Sequence, residues 1–355
     1  MEIESEMVRE RKHYLDILRI FAIFAVVLMH TSGLFDDNVD IVSMRWHVSV
    51  FFECLTSFAV PVFVMISGAL ILGKSKVDVK KLYTKNIVRF VTAYFFWSFI
   101  YTLVFSFIPY YGEISANSIK NLIAGTLEGG YFHLWYMPLI IGLYVLAPIL
   151  HELIHKSSTE NIYYWGILSF LICFIVPLCR NVPLFEHIFG ESIDIFSNGF
   201  WGAYVLYFVV GYFLDNKEYS EKCCNLIYLL GIVSAVFTIF AVWISSCKSG
   251  ELIYALRENN TPNVFFMSVA LFVFVKQRLA NFRTSKSEKI IMMLSTLSFG
   301  VYFIHEVLIV KFGPIVYEKT TSVIAIPIIF SVTIVLSYAI TWLISKFKPI
   351  SKYIV

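Results

Sequence analysis

The sequence predicts an all-α polytopic membrane protein with ten transmembrane helices and both termini in the cytoplasm. Three observations carry that prediction. Hydrophobic residues make up 58% of the 355-residue chain and charged residues 15%, and the mean hydropathy is +0.75. A soluble protein carries about 25% charged residues and could not cover this much apolar surface, so lipid is the solvent for most of the chain. The apolar residues fall in ten runs, and lysine and arginine are spread unevenly over the connections between them. This composition excludes a nucleic-acid partner, a disordered chain and a two-domain soluble enzyme. The six cysteines form no Cys-x-x-Cys pair, so no metal site is expected.

In chain order the runs are Tyr14–Phe35, Phe51–Leu72, Ile87–Ile108, Leu134–Leu150, Ile162–Leu178, Trp201–Leu214, Leu226–Ser246, Asn263–Val275, Thr296–Val310 and Val323–Ile344. A run of roughly 17–25 apolar residues is long enough for a helix to cross the hydrocarbon core. A closed set of helices also satisfies its own backbone hydrogen bonds, as lipid requires. The sixth and eighth runs are short, and their helices are expected to extend into the adjoining loops. The alternating pattern of a membrane barrel is absent. With ten crossings, nineteen lysines and arginines lie on the side of the termini and seven on the other, which puts the tail 1–13 and the C-terminus inside. Four glutamates interleave with the basic residues of the leader and Arg19 interrupts the first run, so that run reads as a retained helix. Residues 1–355 read as one membrane domain, with outer connections Tyr110–His133 and Cys179–Phe200 long enough to cover an outward-facing cavity.

Ionisable groups inside a span are costly, so each is a functional hypothesis. The first run holds Asp16, Arg19 and His30. Arg19 and His30 are eleven residues apart, which is about three helical turns and roughly 16 Å along the axis, so they share one face. A cation near the inner end and an imidazole in the outer half then line one passage, unless His30 only packs between helices. Asp16 is placed to pair with Arg19. Tyr302, His305 and Glu306 make a second polar patch in the ninth run. The second run contains Pro61, able to break the helix, and Ser67-Gly68, where another group can approach closely. Lys80, Lys81, Lys85 and Arg89 form a basic cluster able to hold phosphates.

At these residues the sequence resembles the acyltransferase-3 family of integral-membrane acyltransferases. Arg19 and His30 match the family's Arg-x10-His signature within Leu15-Asp-Ile-Leu-Arg19 and Val27-Leu-Met-His30. Val60 to Gly68 is similar to its Val-Pro-x-Phe-x-x-x-Ser-Gly stretch. Lys85-Asn-Ile-Val-Arg89 resembles its basic motif, with Asn86 where arginine is commoner. His133-Leu-Trp135 and Tyr302-Phe-Ile-His305 resemble its later elements.

The resemblance implies a multi-pass protein of the bacterial cytoplasmic membrane that moves an acyl group, acetyl foremost, from cytoplasmic acyl-CoA to a hydroxyl of a surface or lipid-linked glycan. Acyl-CoA is then a substrate, with no permanently bound cofactor. Arg19, Lys85 and Arg89, with Ser67, would hold the donor. His30 would be the general base, since a neutral imidazole suits proton removal near pH 7. Trp135, Tyr302 and His305 are candidates for acceptor contact or oxyanion stabilisation, as are Ser67 and a backbone amide. An acyl-histidine intermediate stays open. The competing reading is an exporter of polysaccharide or small molecules, although paired broken helices in matching halves are not evident.

Overall fold

The computed structural model describes residues 11–34, 40–41, 43–108, 116–181, 200–280 and 285–355. Among these residues every regular element is helical. In order they are α1 (His13–Ser32), α2 (Met44–Thr56), α3 (Ala59–Leu72), α4 (Val88–Thr102), α5 (Ala116–Glu128), α6 (Tyr136–Lys156), α7 (Thr159–Phe170), α8 (Phe200–Asn216), α9 (Glu221–Ser249), α10 (Pro262–Phe274), α11 (Ser285–Tyr317), α12 (Ser322–Ser345) and α13 (Lys348–Ile354). Each of the ten apolar runs is represented by helix. Eight described segments are long and apolar enough to cross a membrane. The helices of the sixth and eighth runs are the two outside that set. As expected, the eighth run extends, through a π-helical turn at Val275–Leu279.

Three expectations are corrected. The second run is not one helix: α2 and α3 meet at Ser57–Phe58. Pro61 has no N–H for the Ser57 carbonyl four residues earlier. The hydroxyls of Thr56 and Ser57 donate back to the Glu53 and Cys54 carbonyls, closing α2 locally. The connection after the third run is not simply a loop, because α5 occupies much of it and packs along α4. It ends at Gly129 and Gly130, with φ of 110° and 70°. There the Ser98 backbone crowds the place a Gly130 Cβ would take, so the turn requires glycine. The ninth helix is longer than its run, reaching back to Ser285. The tail before Arg11 and most of the Cys179–Phe200 connection lie outside the described residues.

Helix α1 is central, packed by α11, α3, α2 and α12. Helices α3 and α8 cross at two facing glycines. A Cβ on Gly68 would strike the Phe208 carbonyl, and one on Gly211 the Met65 carbonyl. Small residues at such a crossing let backbones touch, which is how packing in lipid gains dispersion energy. In contrast, Leu226, Leu229, Ile232, Val233, Val236 and Phe237 of α9 are exposed, the face a helix offers to acyl chains.

Candidate active site

Arg19 and His30, eleven residues apart on α1, both line a single cavity of about 640 Å³. At the Arg19 end, Arg11 is bidentate to Asp16 at 2.6 and 2.9 Å. Arg19 Nη1 donates to Ser295 Oγ at 3.0 Å, and Ser295 Oγ donates to Asp16 Oδ1 at 2.6 Å. Asp16 also stands 3.6 Å from Arg19. The predicted ion pair is therefore present, and it fixes the guanidinium at the cavity wall.

Arg89 and Asn86 line the same end, and Lys85 does not. Both Lys85 and Asn86 lie in the π-helical turn Leu82–Ile87 ahead of α4. Asn86 sits three residues before Arg89, and both border the cavity. Lys85 is left exposed. Arg89 lies over the Phe299 ring at 4.7 Å and donates to the Val355 backbone oxygen at 2.8 Å. Ser67, Tyr136 and Tyr144 line the same cavity.

At the other end, His30 meets residues from distant segments. The 3-10 turn Phe132–Trp135 presents His133, whose ring centroid is 6.4 Å from that of His30. The His305 ring is 5.2 Å away. Glu306 Oε2 stands 3.6 Å from His30 Nδ1 and 3.9 Å from His305 Nε2. His305 Nδ1 donates to the Val301 carbonyl at 3.1 Å, which leaves Nε2 as the acceptor nitrogen. The Tyr302 hydroxyl donates to the His133 carbonyl at 2.7 Å. Its proton is thus spent on positioning His133 rather than offered to an oxyanion. Trp135 lines the cavity beside the Tyr254–Asn259 segment. There Arg257 pairs with buried Glu53 at 2.6 Å, and burial raises the Glu258 carboxyl above the usual range.

The sequence reading passed over His133, Asn86 and Arg257 as site residues. Glu306 belongs to the second polar patch that the sequence marks in the ninth run. The rule that singled out His30, an ionisable group inside an apolar run, applies equally to Glu306.

A multi-pass bundle with a charged internal cavity is the setting in which the comparisons fall. The acyltransferase domain family matches residues 12–342. The chain belongs to this acyltransferase-3 family, and eight of its described helical segments are long and apolar enough to cross a membrane. Two amino-acid racemases of Enterococcus faecalis are 23% identical to it, one over 61% and the other over 64% of this chain. They are matched over 30% and 33% of their own length, so the chain spans about a third of these relatives. No solved structure matches it.

Proposed function

We propose that this protein is an O-acyltransferase that takes an acyl group, acetyl foremost, from cytoplasmic acyl-CoA and places it on a hydroxyl of a surface or lipid-linked glycan. One observation carries this reading: a single cavity is lined by Arg19, Asn86 and Arg89 at one end and by His30 at the other. The ends are about 16 Å apart along α1, a distance a pantetheine arm spans. Phosphates of the donor engage the arginines, whose planar forks suit them. Ser67, Tyr136 and Tyr144 line the path of the arm. Ten crossings, with both termini in the cytoplasm of a bacterial cell, put the arginine end on the CoA side.

In this reading the Glu306 carboxylate, 3.6 Å from His30 Nδ1, favours the Nδ1–H tautomer through its charge, leaving Nε2 to remove the acceptor proton. The hydroxyl oxygen attacks the thioester carbonyl, forming the C–O bond. The tetrahedral intermediate collapses with cleavage of C–S, and the His30 proton passes to the departing CoA thiolate. Trp135 and the Tyr254–Asn259 segment border the space left for the acceptor, and His305 backs the dyad. The protein in detergent, given acetyl-CoA and candidate glycans, is expected to release free CoA thiol and label the glycan. Glycan uptake into sealed proteoliposomes without thiol release would overturn the reading in favour of a carrier.

A further inference from the structure

We propose that His30, His305 and Glu306 form a binding site for a divalent transition-metal ion of the Zn²⁺ class, and that its occupancy silences acyl transfer. The binding site stands on geometry alone, whereas the silencing rests on His30 acting as base.

Three ligand atoms converge: His30 Nδ1, His305 Nε2 and one Glu306 oxygen, all within 4.8 Å of one another. Two of the separations are 3.6 and 3.9 Å. These are too long for hydrogen bonds. A tetrahedral zinc with bonds near 2.0–2.2 Å needs ligand atoms about 3.4 Å apart, so side-chain shifts of a few tenths of an ångström bring these two separations to that spacing. The electronic arrangement agrees. His305 Nδ1–H is fixed on the Val301 carbonyl, so its Nε2 lone pair points at a carboxylate that also only accepts when ionised. Facing acceptors in a buried site ask for a cation or a proton between them. A backbone carbonyl on the far nitrogen is the usual outer partner of a metal-ligating histidine.

Independent evidence comes from unpartnered groups. His305 Nε2, Glu306 Oε2 and both ring nitrogens of His133 are buried and lack hydrogen-bond partners among the described residues. His305, Glu306 and His133 are 0%, 4% and 2% exposed. The His133 ring is 5.4 Å from that of His305, close enough to supply a fourth ligand after a modest rotation. Two histidines and a glutamate are a zinc ligand set. The consequence follows from imidazole chemistry. A neutral ring has one lone pair. If Nδ1 gives it to the metal, Nε2 keeps its proton and cannot take one from an acceptor.

The test uses the purified full-length protein in detergent, stripped with chelator and titrated with Zn²⁺ against a competing indicator, and with Co²⁺ read by its visible d–d bands. One tight site per chain with a tetrahedral Co²⁺ spectrum is expected. His305→Ala and Glu306→Gln should each weaken Zn²⁺ by more than about a hundredfold, since even outer-shell losses reach that size. His151→Ala, which alters a histidine bonded to the Lys74 carbonyl, should not. Thermal midpoints show whether each variant is folded. No saturable site in the wild type, or unchanged affinity in the folded His305→Ala and Glu306→Gln proteins, overturns the site. Transfer that proceeds in chelator and stops on adding Zn²⁺ supports silencing. Transfer that instead requires Zn²⁺ overturns both silencing and the metal-free role of His30, while the binding data still stand.

Discussion

Replacing His30 by alanine separates a catalytic role from a packing role, because the two predict opposite signatures. The side chain is 16% exposed, at a cavity that already exists. Among the described residues it makes no hydrogen bond, and its carboxylate neighbour is 3.6 Å away. Truncation therefore opens little new void and orphans no donor. By the usual scale of large-to-small changes, a site that already borders open space should lose at most about 1 kcal/mol. Loss of a positioned general base removes roughly 10²- to 10⁴-fold in rate. The expected result is a thermal midpoint close to wild type, acetyl-CoA binding retained, and thiol release reduced at least about a hundredfold. Equilibrium binding of acetyl-CoA, a thermal shift and a thiol-release assay on one preparation supply all three readings. A folded His30→Ala protein with wild-type specific activity would refute the assignment, as would a rate loss equal to the loss of folded protein.

Other perturbations test neighbouring parts of the argument. Arg89→Ala should raise the KM for acyl-CoA about ten- to a hundredfold, the size of a lost charge-assisted hydrogen bond, with turnover less affected; Lys85→Ala should change it little, because Lys85 is exposed and outside the cavity lining, and equal effects would overturn Arg89 as the phosphate contact. Gly68→Ala should destabilise the protein by about 1–3 kcal/mol through the α3–α8 crossing, read as a fall in thermal midpoint, whereas an unchanged midpoint would show that the crossing tolerates separation. Arg257→Met should destabilise the protein, by about 1–3 kcal/mol, because it removes the cation 2.6 Å from buried Glu53; adding Glu53→Gln should recover part of the loss. Burial raises the Glu258 carboxyl, so the folded state favours its protonated form. That contribution is present at pH below the ordinary carboxylate range and is lost as pH rises through the raised value. Relative to Glu258→Gln, the wild type should therefore lose thermal stability across that rise, and parallel pH curves would refute it.

What the sequence determined alone is what local physics controls. An apolar run long enough to cross a bilayer must be helical there, whatever it packs against, and helix is found at all ten runs. Helical periodicity put Arg19 and His30 on one face of α1, and both line the cavity. Asp16 three residues before Arg19 was within reach by the same rule. Tertiary structure decided what spacing leaves open and whatever depends on segments far apart in the chain. Asn86 borders the cavity and Lys85 is exposed, although both stand within helical reach of Arg89, so spacing alone does not choose between them. The break at Ser57–Phe58 depends on where hydroxyls find carbonyls within an otherwise unbroken apolar run. The convergence of His133, His305 and Glu306 on His30 joins α1 to segments more than a hundred residues away. No short-range pattern encodes such a meeting. It follows from the packing of α11 against α1 and from the glycine turn that brings the Phe132–Trp135 segment back into the bundle.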